Sequence, residues 1–126
     1  KVIFAGFVRG RELTTLYRAA DLYVMPSVSE PFGIAPLESL VQGTPVLISK
    51  QSGVSEVVRH ALTADFWDVD DMADKIISVL KYPSLYHTLR MNGQREARMA
   101  TWKKAAEKLS SLYKKIVDFF KKIPKV

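Results

Sequence analysis

The stretch DLYVMPSVSEPFGIAPLESLVQGTPVLIS, Asp21 to Ser49, decides the fold. It opens on an apolar run, Leu22–Met25, that reads as a buried strand. Pro26 to Pro31 is a polar loop. Residues 33–42 then read as a helix, with Pro36 tolerated in its first turn and Gly43 as its stop. Pro45–Ser49 is a further apolar run, with proline at the first position, where a strand accepts it. Strand, loop, helix, strand is the unit of a parallel sheet with right-handed crossovers.

Working outward, Val2–Ala5 reads as another buried strand, and Leu13, Leu16, Tyr17 and Ala20 put an amphipathic helix over 11–20. Downstream, a loop with Gly53 leads to a short helix at 55–60, and Ala61–Phe66 reads as a fourth strand. Asp70 or Asp71 caps a helix to Leu80. Pro83 breaks the chain, short helices follow over 84–99, and a last helix covers 101–122. The expected fold is α/β, one open parallel sheet of three to four strands flanked by helices, in a single domain spanning 1–126.

Composition narrows the function classes. Hydrophobic residues make up 48% of the 126, enough for a core that removes roughly two-thirds of the unfolded surface from water. With no cysteine there is neither a disulfide nor a thiolate metal site, and a reducing compartment is compatible. No run of about 18 apolar residues and no signal peptide is present. The expected location is cytoplasmic. The net charge of +6 is local: residues 101–126 carry eight lysines against Glu107 and Asp118, whereas residues 1–100 balance 11 basic against 11 acidic side chains. A charge confined to one helix and its tail argues against a nucleic-acid partner for the domain as a whole.

Glu30 and Glu38 flank Pro31–Leu37, one at the carboxyl end of a strand and the other about a turn into the next helix. Open α/β sheets bind ligands at that edge. A helix start offers free backbone N–H groups and a positive dipole end, which suits phosphate. Gly33 removes a side chain where an anion would approach. A carboxylate on either side accepts hydrogen bonds from hydroxyls. A phosphate flanked by polyols describes a nucleotide-sugar.

The ordered set Ser29-Glu30-Pro31-Phe32-Gly33-Ile34, Leu37-Glu38-Ser39-Leu40 and Gly43-Thr44-Pro45-Val46-Leu47 resembles the signature of GT-B glycosyltransferases of family 4, the group 1 transferases. Phe4–Val8, Leu16–Asp21, the Gly-rich Ser52–Val58 and the pair Trp102 and Tyr113 are similar to further family segments, most strongly over residues 2–58. The resemblance implies part of the C-terminal, donor-binding domain of a retaining glycosyltransferase. Such an enzyme moves a sugar from a nucleoside-diphosphate donor to an acceptor hydroxyl. It implies no cofactor beyond the donor substrate and no metal bound here. The acceptor sugar or glycoconjugate would be held by an N-terminal domain outside this chain, and an Arg and a Lys that neutralise the diphosphate by a segment preceding Lys1. Carried over by motif, Glu30 touches the transferred sugar and is the catalytic candidate. The Phe32, Gly33 and Ile34 amides face sugar and diphosphate, Glu38 takes the ribose hydroxyls, and Val8 lies near the base. Alternatives are a nucleotide-sugar epimerase or phosphorylase of related fold, or a non-catalytic basic binding module.

Other features have plainer readings. Glu30 alone would be an acid near a helix start, Glu38 an exposed helix acid and Val8 strand-end packing. Ser52 and Gly53 shape a loop, beside the site or without ligand contact. Asp65, Asp68, Asp70, Asp71 and Asp74 lack the pattern of a calcium loop and read as a solvated helix start. His60 reads as a helix-end cation and His87 as a surface residue. The apolar stripe of the last helix, Trp102 to Ile123, is long for a domain of this size. Its lysine-rich face reads as a solvated face, as peripheral attachment to an anionic membrane, or as contact with another domain. Self-association is expected through residues 101–123 or through a sheet edge near Val2–Ala5.

Overall fold

The structure, a computed structural model, describes residues 1–121. In chain order it has α1 (Gly10–Ala19), β1 (Tyr23–Met25), α2 (Ile34–Val41), β2 (Val46–Ser49), a 3-10 turn at Gly53–Glu56, β3 (Leu62–Ala64), α3 (Val69–Lys81), α4 (Pro83–Met99) and α5 (Trp102–Lys121). The strands form one parallel sheet in the order β1-β2-β3, with Tyr23 opposite Val46 and Leu47 opposite Leu62. The expected α/β architecture holds, with three strands.

All four residues of β2 are buried, as a central parallel strand covered on both faces requires. Around it Leu40, Val46, Ile48, Val54, Val58 and Ala97 form the core, with Tyr23, Met25 and Leu37 packed against it. Thr44 fixes α1 to the sheet: its hydroxyl donates to the carbonyl of Tyr17, in the last turn of that helix. Gln94 of α4 donates to the carbonyl of Val41 at 2.9 Å and so satisfies an end of α2.

Val2–Ala5 forms no strand; Phe4 is 95% exposed. The segment lies next to no ladder and no apolar layer, and without both a short apolar run has nothing to hold it extended. The sheet edge is therefore β1. The fourth helical region is one helix, because Pro83 stands at its first position, where its missing N–H costs nothing. The short helix is confined to 53–56, and β3 stops at Ala64 because Asp65–Trp67 turns away toward α3. Asp68 caps α3, accepting from the Asp71 amide at 2.9 Å. Ile123 lies outside the described residues.

Gly93 marks the crossing of α2 and α4: an added Cβ would stand 2.6 Å from Leu40 Cδ2 and 3.1 Å from the carbonyl oxygen of His60. Alanine is favoured over glycine in a helix by about 1 kcal/mol, whereas overpacking costs about 1–3 kcal/mol. The backbone carbonyl cannot swing aside, so Gly93→Ala is expected to lower the unfolding free energy by about 1–2 kcal/mol. A denaturant midpoint equal to or above that of the parent chain would show that the crossing has room to spare.

Candidate functional site

β1 delivers the chain to the loop that carries Glu30, and Gly33 turns it into α2. Gly33 has φ +85°, a left-handed conformation that glycine adopts without strain. A Cβ there would press on Met25 Cε at 3.1 Å and Glu30 Cγ at 3.2 Å. No side chain caps α2, so its first-turn amides are left for another acceptor.

A second loop straps the first. Gly53 donates its amide to the carbonyl of Glu30 at 3.0 Å, and the buried Ser52 hydroxyl donates to the carbonyl of Phe32 at 3.4 Å. A Cβ on Gly53 would fall 2.1 Å from the Pro31 carbonyl oxygen, so only glycine fits. The Phe32 amide donates to Glu30 Oε1 at 3.4 Å, which turns that carboxylate back over its own loop. Ser52 and Gly53 thus hold the Glu30–Phe32 turn.

Glu38 is exposed on α2 and accepts from the Tyr17 hydroxyl of α1 at 3.4 Å. Tyr17 meets Tyr23 of β1 edge-to-face, with ring centroids 5.7 Å apart. Burial, then Tyr23 and Glu38, push the Tyr17 phenol from 10.0 up to about 12. Burial also raises Tyr23, followed by the charges of Glu38 and Glu30, so Tyr23 lies within electrostatic reach of both carboxylates.

A cleft of about 1010 Å³ runs along α2, between α1, the Val57–Arg59 loop, the end of α4 and the start of α5. Phe32, Ile34 and Glu38 share its wall with Tyr17, Arg59 and Trp102. Glu30 and Gly33 do not line it, nor does Val8, which is half-buried before α1.

Several of the other polar residues have structural partners. Lys50 pairs with Asp65 at 2.8 Å and Lys75 with Asp71 at 2.5 Å. Among the described residues no three His, Cys, Asp or Glu side chains gather to hold a metal. His60 Nδ1 lies 2.7 Å from Glu96 Oε1, while Oε2 accepts from the Arg59 and His60 amides at 2.8 and 3.0 Å. Burial raises the Glu96 carboxyl, but the hydrogen bonds from His60 and Arg59 outweigh it and hold it below its usual range. The sequence places Tyr17 and Tyr23 on a helix face and in a strand without a role at the site, and does not single out Glu96. The two tyrosines carried a usable signal, being polar aromatics on faces otherwise read as apolar. Glu96 carried none, since its partners lie more than thirty residues away.

Residues 1–96 match the family model described as glycosyl transferases group 1. Mannosylfructose-phosphate synthase of Agrobacterium fabrum is 37% identical over 116 residues, 89% of this chain and 26% of that protein. The chain therefore spans about a quarter of the length of that curated relative. Sucrose-phosphate synthase of Thermosynechococcus elongatus superposes with a TM-score of 0.77 at 29% identity, over 92% of this chain and 30% of that one. HepE of Anabaena, solved in complex with UDP-glucose, gives 0.70 at 26% identity, over 79% of this chain and 30% of that one.

The Tyr17 environment predicts a pH effect. Its folded-state value lies above its unfolded value, so the stability from the neutral phenol is fully present below pH 10.0 and lost as pH rises through about 12. Unfolding midpoints measured across that window should fall more steeply in the parent chain than in Tyr17→Phe. Parallel curves would place the hydroxyl in ordinary surroundings.

Proposed function

The chain belongs to the group 1 glycosyl transferases, a GT-B family, and on that footing we propose that it forms part of the C-terminal, donor-binding domain of a retaining transferase. The donor is a nucleoside-diphosphate sugar and the acceptor a hydroxyl presented by an N-terminal domain. HepE, whose structure holds UDP-glucose, supports the donor class. The relatives named as synthases of mannosylfructose phosphate and sucrose phosphate support sugar transfer.

One observation carries the reading: an uncapped helix start, entered through a left-handed glycine, stands between Glu30 and Glu38 and is held by the Ser52–Gly53 strap. Breaking the bond between sugar and phosphate leaves negative charge on the diphosphate, and amides fixed in advance stabilise it without reorganising. The amides at Phe32–Ile34 and the dipole of α2 take that role, the Phe32 amide once Glu30 has turned away from it. Glu38, already receiving one hydrogen bond from Tyr17, keeps acceptor positions for the ribose diol. Glu30 has one oxygen on the Phe32 amide and the other free for a sugar hydroxyl. Turning Glu30 outward from its loop is part of sugar binding in this account.

A carboxylate bonded to a hydroxyl gains about 1.5–3 kcal/mol. In a full-length transferase carrying this chain, Glu38→Ala is expected to weaken nucleoside-diphosphate binding by about tenfold or more. Unchanged affinity in a calorimetric titration would remove Glu38 from the site. Glu30→Gln should lower turnover with nucleoside-diphosphate affinity nearly intact, and equal losses in both would overturn the separation of sugar from ribose contacts.

A further inference from the structure

Tyr17 is only 8% exposed, and among the described residues its hydroxyl has one hydrogen-bond partner, Glu38 Oε2, 21 residues along the chain. A buried hydroxyl costs free energy unless it is bonded, and phenylalanine would fill the same space against Tyr23 without that cost. Nor is the hydroxyl needed to fasten α1 to its neighbours. Thr44 already donates to the Tyr17 carbonyl, and Arg18 Nε donates to Gln42 Oε1, at the end of α2, at 2.8 Å. What the hydroxyl adds is a bond to a carboxylate that is exposed and stands in the wall of the cleft.

The two partners differ in freedom. Glu38 lies on an exposed face of α2, where a glutamate side chain left to itself samples many rotamers. Tyr17 is fixed at both ends: its ring meets Tyr23 edge-to-face, and its carbonyl is tied to the start of β2 through Thr44. A donor held in this way draws Oε2 of Glu38 to one place and leaves Oε1 without a donor among the described residues. A vicinal diol meets a carboxylate through two hydroxyls at once, so it gains from having the position and plane of that carboxylate set beforehand. A lone hydroxyl gains little, because it can follow the carboxylate wherever it swings.

We propose that Tyr17 is a positioning residue for Glu38: it fixes the carboxylate in the orientation that grips both ribose hydroxyls, and so sets a preference for ribonucleoside over 2′-deoxyribonucleoside diphosphates. This inference rests on the reading of Glu38 as the ribose contact and adds a residue that works through it.

Calorimetric titration of a full-length transferase carrying this chain tests it, with UDP, GDP and ADP and the 2′-deoxy form of each. The parent should bind its preferred ribonucleotide about tenfold more tightly than the deoxy form. Tyr17→Phe keeps the ring on Tyr23 and removes the donor. It should lower affinity for the ribo form by about fivefold and leave the deoxy form nearly unmoved. A tyrosine that only supports the fold would weaken both forms alike, or neither. In a Glu38→Ala background the same change should cost nothing further, since no carboxylate is left to hold. The two readings fail differently. A parent that binds ribo and deoxyribo forms equally, or binds none of them, overturns the ribose contact and the role of Tyr17 with it. A parent that discriminates, beside a Tyr17→Phe variant that discriminates as strongly, overturns the role of Tyr17 alone.

Discussion

The backbone of Gly53 comes so close to that of Pro31 that no side chain can stand between them. That contact joins the loop after β1 to the loop after β2, at the ends of two adjacent parallel strands. The Glu30 carbonyl, the Gly33 turn and the first amides of α2 all take their positions from it. The buried Ser52 reinforces it through the Phe32 carbonyl. Rigidity at this point matters physically: amides aimed at a developing charge help only when they are already in place.

A second layer of support reaches Glu38 from behind. Tyr17 is almost fully buried and held by its ring contact with Tyr23, so its hydroxyl offers Glu38 a hydrogen bond from a fixed position. The same burial explains why the phenol resists ionisation. Thr44 then ties the Tyr17 backbone to the start of β2. The carboxylate is thus exposed at its tip and anchored through residues that are core, a division of labour suited to binding a diol without losing side-chain freedom on each cycle.

Much of this was legible in the sequence and some was not. The order of elements from Leu22 to Ser49 read correctly because an apolar run, a Gly-Pro punctuated loop and a helix with a glycine stop each carry a local signal, although β1, expected buried, lies at the sheet edge and leaves Val24 exposed. Glu30, Phe32, Gly33 and Glu38 stood out for the same reason, although only Phe32 and Glu38 of these reach the cleft wall. Val2–Ala5 misled because an apolar run reports burial only if a partner surface exists, and periodicity cannot supply the partner. Pro83 misled in the other direction: a proline that ends one helix can also be the first residue of the next. The Glu96 bonds to the Arg59–His60 backbone depend on tertiary packing alone.

The central claim is that the amides at the start of α2, flanked by Glu30 and Glu38, receive a nucleoside diphosphate. The most direct test is a titration of the isotope-labelled chain with UDP, GDP and ADP, followed by amide chemical shifts, which register even weak binding. The account predicts that the largest shifts fall at Phe32, Gly33, Ile34 and Glu38, with smaller ones at Ser52 and Gly53 through the strap. A folded chain whose shifts at saturation lie elsewhere, with those residues unmoved, would contradict it.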